Sequence, residues 1–266
     1  MSGEGEAPAP GALPRLPLEP WEDTKRTLHL FLQVVGKVRL ALHPPLNHWW
    51  HAPLYTTARG FGTGWLPHPS GGLQIDFDTT GSTLRVRTAA GAVRELPLED
   101  GLSVAAFHEW LMNTLAEVSG EAPPILARPF DPERVGSDTP FARDRTHASW
   151  DADAVRRFHR VLAWSHGVFQ AFAGRYVGKA SPSHFFWHSM DLAYTRFSGR
   201  RAPVADDADP VTREAYSHEV VSFGFWPGDA QVRSRQPPPG PPPPHKRNRP
   251  TRPPLGERAG RPSFMH

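Results

Sequence analysis

Histidines stand beside aromatic residues in two parts of the chain, and imidazole is the side chain that most readily exchanges a proton near neutral pH. We name His51 and His188 as candidate catalytic groups, because an imidazole near its ordinary pKa acts as an acid or a base. Close spacing of histidines also makes a metal site a weaker candidate. Its candidate ligands are His184, His188, His218 and Glu219. Spacing alone does not define a coordination geometry, so packing among aromatic neighbours stays open as the ordinary alternative.

Lysine and arginine occur in the same stretches as these histidines, and this clustering favours an anion-binding pocket. The candidate ligand-binding cations are Lys37, Arg59, Lys179 and Arg196, and the candidate aromatic walls are Trp50 and Trp187. Salt bridges to nearby carboxylates are the simpler explanation for the cations. A hydrophobic core is the simpler explanation for the tryptophans.

Similar residues follow each of two long apolar segments, which suggests an internal repeat. The first copy comprises residues 35–37, 48–51 and 54–56, and the second comprises 177–179, 185–188 and 193–195. A duplication would place Lys37 and Lys179 in equivalent positions, and likewise His51 and His188. The two half-domains would be 21–128 and 151–228, with a ligand cleft between them. Chance similarity of aromatic strands is the alternative.

Composition narrows the class of protein. The 266 residues include no cysteine, which excludes disulfides, thiolate metal sites and a cysteine nucleophile, and which favours a cytoplasmic location. The formal net charge is +3, but the basic excess lies after residue 228, so the preceding body is mildly acidic and no nucleic-acid partner is expected for it. We find no signal peptide, no apolar run of membrane length and no familiar nucleotide, hydrolase or zinc-protease motif.

Hydrophobic periodicity predicts an α+β fold, in which antiparallel sheets pack against long amphipathic helices. The predicted helices are Trp21–Val35, with Thr24 as N-cap, Ser103–Val118 and Asp151–Tyr176. The predicted strands are Val38–Leu42, His51–Phe61, Gln74–Asp78, Leu84–Arg87, Val93–Leu98, Ile125–Ala127, Phe185–Phe197 and Glu219–Trp226. A flexible leader, 1–20, precedes a globular body, 21–228. The Pro/Arg-rich tail, 229–266, is expected to be disordered.

Several segments of the body, in their order along the chain, resemble the bacterial domain-of-unknown-function family 5996. The segments are Asn47-His48-Trp49-Trp50-His51, Leu54-Tyr55-Thr56-Thr57-Ala58-Arg59-Gly60, Ser183-His184-Phe185-Phe186-Trp187, Arg213-Glu214-Ala215-Tyr216-Ser217-His218-Glu219 and Gly224-Phe225-Trp226-Pro227-Gly228. The resemblance covers about residues 21–228 and implies no activity, since the family is uncharacterised. Family members continue with an aromatic, strand-like stretch where this chain has Pro, Arg and Gly.

The leading functional hypothesis is a cytoplasmic binder or enzyme that acts on a small anionic molecule in the cleft between the two repeats. One alternative is a non-catalytic protein-interaction module, whose proline-rich tail would present a polyproline II ligand. A second alternative is a His/Glu metalloenzyme. The sequence indicates no particular cofactor, reaction or oligomeric state.

Overall fold

A computed structural model describes residues 13–68, 71–131, 135–203, 205 and 207–229. The fold is α+β, as predicted, with helices packed against two antiparallel sheets. The predictions for leader residues 1–12 and for tail residues 230–266 lie outside the described part of the chain. Among the described helices, none combines the length and the apolar character that a membrane span requires.

Every described α-helix except the first is preceded by a residue whose side chain accepts hydrogen bonds from free backbone amides of the first turn. The helices are α1 (Glu22–Leu42), α2 (Val104–Ser119), α3 (Ala152–Ala173) and α4 (Pro210–Ala215). The side chains of Ser103, Asp151 and Asp209 accept hydrogen bonds from the first amides of α2, α3 and α4. Gly120, in the left-handed region with φ of 84°, ends α2.

Helix α1 is longer than the sequence pattern predicts. The predicted strand Val38–Leu42 is wrong, because α1 continues through it to Leu42. Its residues 27–39 are all buried, so the helix has no wet face whose period would mark it as helical. Thr24 is not the N-cap either. It lies inside the first turn, where its hydroxyl contacts Ser149 at 3.1 Å and accepts a hydrogen bond from the amide of Asp151.

The first sheet is a meander whose strands follow one another in sequence order. Its strands are β1 (Tyr55–Thr57), β2 (Gly60–Gly62), β3 (Leu73–Asp78), β4 (Thr83–Thr88) and β5 (Val93–Pro97). The predicted strands β3, β4 and β5 are confirmed. The predicted strand His51–Phe61 is instead a hairpin, which turns at Ala58–Arg59. A side chain at Gly60 would collide with the carbonyl oxygen of Phe77, so this close pairing requires glycine.

The second sheet has three strands in the order β6 (His184–Phe186), β7 (Asp191–Arg201) and β8 (His218–Phe225). The predicted strand Phe185–Phe197 is therefore two strands, separated by a turn in which Met190 has a φ of 58°. The predicted strand Ile125–Ala127 is wrong, because no strand forms there. The two sheets meet where Leu54 and Phe185 exchange backbone hydrogen bonds of 2.8 and 3.0 Å.

One hydrophobic core draws on both halves of the chain. Trp21 packs on Phe158 with ring centroids 5.5 Å apart, and Phe61 packs on Phe185 at 5.3 Å. The described residues accordingly fall within one compact unit. The duplication stays a prediction, and its first pair of motifs differs in local structure, since 35–37 lie inside α1 whereas 177–179 lie in the loop before β6.

Candidate functional site

The loop that follows α1 carries an unusual backbone. A 3-10 turn, Asn47–Trp49, places His48 and Trp49 in the left-handed region, with φ of 56° and 60°. Such angles are uncommon for residues other than glycine and cost about 1–3 kcal/mol, so the surrounding structure must hold them in place. Strain of this kind is concentrated at functional sites.

A lysine holds the histidine of this turn. Lys179 Nζ lies 2.7 Å from His48 Nε2. An ammonium only donates, so Nε2 accepts and the ring proton of the neutral imidazole lies on Nδ1. Burial, and then the charge of Lys179, lowers the pKa of His48. The pair therefore carries a single positive charge at neutral pH, and that charge belongs to Lys179.

Aromatic rings line the protein side of this pair. Lys179 Nζ lies 5.0 Å from the ring centroid of Phe197 and 5.6 Å from that of Trp50, within the range of cation–π attraction. The ring of His48 also contacts Phe197, at 4.6 Å, and stands edge-on to His218 at 5.7 Å. These contacts fix the position of both polar groups without neutralising the ammonium.

The pair opens onto a cleft of about 440 Å³ between the His48 turn, the end of β7 and helix α4. The residues that line it are Asn47, His48, Lys179, Arg201, Pro210, Arg213, Glu214, Ser217 and His218. Cations outnumber carboxylates on these walls. Among the described residues, no carboxylate forms an ion pair with Lys179 or Arg201, and Glu214 is the acidic residue of the lining.

The two aromatic motifs that the sequence aligns lie side by side, but His51 and His188 do not line this cleft. His51 is buried, its Nδ1 accepts from the amide of Leu46 at 3.1 Å, and burial lowers its pKa. His188 lies in the β6–β7 turn, edge-on to Phe130 at 5.6 Å. Of the predicted site residues, Lys179 and His218 line the cleft, and Trp50 contacts Lys179 without lining it.

Lys37 and Trp187 form a separate buried group. Gly36 lets the Trp187 ring lie directly on α1, since an added Cβ would come within 2.3 Å of that ring. Lys37 Nζ lies 5.9 Å from the ring centroids of Trp187 and Phe141. Burial lowers the pKa of Lys37, and no carboxylate among the described residues pairs with it. These residues do not line the cleft beside Lys179.

The two predicted arginines serve different parts of the fold. Arg59, exposed in the β1–β2 turn, donates to Asp78 at 2.8 Å, which is the salt bridge that the simpler interpretation expects. Arg196 donates to the carbonyl oxygen of Phe172 at 2.8 Å, and its guanidinium lies 3.7 Å from the centroid of that ring. Neither residue lines the cleft.

The candidate metal ligands do not assemble. Within the part of the chain that the structure describes, no group of three or more His, Cys, Asp or Glu side chains is placed to hold a metal ion. His184 is buried against Trp50 and Tyr55, and Glu219 accepts a hydrogen bond from the Ser198 hydroxyl at 2.9 Å. The His/Glu set therefore supplies separate local contacts.

Residues that our candidate list omits complete the cleft. His48, Arg201 and Arg213 are absent from that list, although each stands near a segment that carries the family resemblance. Those segments are distant in sequence. The pairing of β7 with β8 brings Arg201 beside His218, and ring contacts with Phe197 and His218 hold His48 next to them. The resemblance implies no role for any of these residues, so no sequence signal selects them.

A comparison with protein-family models matches residues 13–236 to a family of unknown function, DUF5996. The chain belongs to this family. The matched range includes every element described above and all residues of the cleft. No curated protein and no solved structure matches the chain.

Proposed function

We propose that this member of the DUF5996 family binds a small anionic molecule, with a carboxylate or phosphate group, in the cleft beside His48 and Lys179. The observation that carries the proposal is that the positive charge of Lys179 has no carboxylate partner among the described residues. Its ammonium is held by a neutral imidazole and by aromatic rings, and no described carboxylate neutralises it. A positive charge positioned in this way is available to a ligand.

The remaining walls supply what an anion needs. Arg201 and Arg213 add guanidinium groups, which match carboxylate and phosphate oxygens in geometry. Asn47 and Ser217 add neutral hydrogen-bonding groups. A cleft of about 440 Å³ suits a metabolite-sized ligand. A cleft with these walls favours a ligand-binding protein over a protein-interaction module.

The proposed site retains part of the sequence-based hypothesis. Its walls combine the motif around residue 48, from the first copy of the repeat, with the motif around residue 179, from the second copy, although the repeat does not pair these two motifs with each other. His48 replaces His51 and His188 as the histidine beside the anion. We place the site in a cytoplasmic protein, as the cysteine-free sequence favours.

Isothermal titration with inorganic phosphate and with succinate tests the proposal. At least one probe should bind, and Lys179→Met should weaken it about 10- to 100-fold, because a hydrogen bond to a charged group is worth about 1.5–3 kcal/mol. Arg59→Met is the matched control, since it also removes a cation but lies outside the cleft. Equal losses in the two variants would show that net charge, and not the cleft, attracts the anion.

A further inference from the structure

Arg39 is a buried cation without a buried counter-ion. It lies on α1 with only 3% of its surface exposed. One guanidinium nitrogen donates to the carbonyl oxygen of Thr63, and Cζ lies 5.2 Å from the ring centroid of Tyr55. Among the described residues, no carboxylate forms an ion pair with it. An arginine cannot lose its proton in a protein, so its charge persists.

Two buried nitrogens at this place have no hydrogen-bond partner. They are Nε of Arg39 and Nε2 of His184, and the His184 side chain is almost fully buried. Both side chains flank Tyr55, since the His184 ring centroid lies 5.8 Å from that of Tyr55. Burial, and then the charge of Arg39, lowers the pKa of His184 to about 4. The imidazole is therefore neutral at pH 7 and presents a ring N–H as a donor.

An acceptor with negative charge satisfies both groups. A buried unpaired donor costs about 1–3 kcal/mol, and an uncompensated buried charge costs more. Water would complete the hydrogen bonds but would leave the charge of the guanidinium uncompensated. We propose that a small monovalent anion of the size of chloride binds between Arg39 and His184. This site is distinct from the cleft, which neither residue lines.

Anion exchange in crystals and in solution tests this site with the full chain. Crystals soaked in bromide should show an anomalous peak within about 3.5 Å of Arg39 Nε. In solution, sodium chloride should raise Tm by about 2–4 °C over sodium gluconate at equal ionic strength and at about ten times Kd. Gluconate is much larger than chloride and should not fit between these two buried side chains. Absence of the bromide peak beside Arg39 would overturn the proposal.

Variants separate the buried site from other anion effects. Arg39→Met should abolish the Tm difference between chloride and gluconate. Arg196→Met is the matched control and should retain it, because Arg196 Nε already donates to Tyr194 and Nη2 to Phe172. Lys179→Met should also retain it, since Lys179 belongs to the cleft. If Arg39→Met does not fold, His184→Phe should reduce the Tm difference and weaken the bromide peak. An undiminished difference and peak in that variant would contradict the proposal.

Discussion

His29 shows how a single buried histidine ties stability to pH. It lies on α1 with 4% exposure, and its Nε2 donates to the carbonyl oxygen of His188 at 3.1 Å. Burial, and then the charge of Lys25, lowers the pKa of His29 to about 3. The unfolded chain therefore binds a proton near pH 6.5 that the folded chain does not accept. The contribution of His29 to the free energy of unfolding is therefore fully present above pH 6.5, and it is lost as the pH falls towards 3.

We predict that His29→Gln reduces this acid sensitivity. Glutamine can still donate to His188 but does not titrate. At pH 4.5 the histidine should account for a loss of about 2–3 kcal/mol relative to pH 7, which the variant lacks. Urea unfolding at both pH values measures it. Val34→Ala, a non-titrating change in the same buried helix, should lower stability at both pH values and keep the full loss. An equal acid loss in His29→Gln and wild type would contradict the prediction.

The sequence predicts residue types at the cleft better than it predicts the residues themselves. The sequence predicts Lys179 and Trp50 as ligand-binding groups; Lys179 lines the cleft, whereas Trp50 contacts Lys179 and does not line it. The sequence favours His51 over His48, whereas in the structure His48 lines the cleft and His51 accepts a hydrogen bond from the amide of Leu46. Tertiary contacts stabilise the left-handed backbone at His48, and the local sequence does not predict it.

At the scale of elements, the contact between α1 and Trp187 depends on one glycine. Gly36→Ala should lower stability by about 1–3 kcal/mol, because the new Cβ would overlap the indole ring. Helix propensity alone predicts the opposite, a gain of up to about 1 kcal/mol. Gly167→Ala on α3 is the matched control, since nothing lies within 4 Å of its Cβ position, and it should show that gain.

Thermal unfolding of the two variants gives the comparison directly. Tryptophan fluorescence provides a second measurement, since displacement of Trp187 should change the emission of Gly36→Ala and not that of Gly167→Ala. A stabilised Gly36→Ala variant would mean that Trp187 does not pack on α1 in this way.

The predictability of each element follows its exposure. Strands β3 and β4 alternate polar and apolar residues, as Arg85 and Arg87 of β4 alternate with buried Leu84 and Val86, so the sequence predicts them correctly. Helix α1 is buried on all sides as far as Arg39, and the alternation of Lys37 and Arg39 with Val38 and Leu40 resembles a strand. The β1–β2 hairpin differs from the prediction because the chain turns at Ala58–Arg59, inside the stretch that the sequence predicts as one strand.

At the scale of the molecule, the shared core predicts that neither half folds alone. Separate fragments 1–131 and 132–266 should each lack a cooperative unfolding transition, whereas the whole chain should unfold in one step. The reason is that fragment 1–131 would expose Trp21, Phe61 and α1. Fragment 132–266 would expose the side chains that cover them, which are Phe158, Phe185 and Trp187. Differential scanning calorimetry of the two fragments and of the whole chain measures this. A sharp heat-absorption peak from either fragment would favour independently folding half-domains.

The left-handed turn at His48 and Trp49 also determines which substitutions would stabilise this loop. Glycine, asparagine and aspartate tolerate that backbone better than histidine or tryptophan. Single nucleotide changes convert a histidine codon to asparagine or aspartate, and the tryptophan codon to glycine. Such changes would relieve the turn while removing the imidazole that holds Lys179 or the neighbouring indole. Under selection for stability alone, these codons would be replaced readily. A lineage that keeps His48 and Trp49 is therefore one in which the contact of this turn with Lys179 still serves a function.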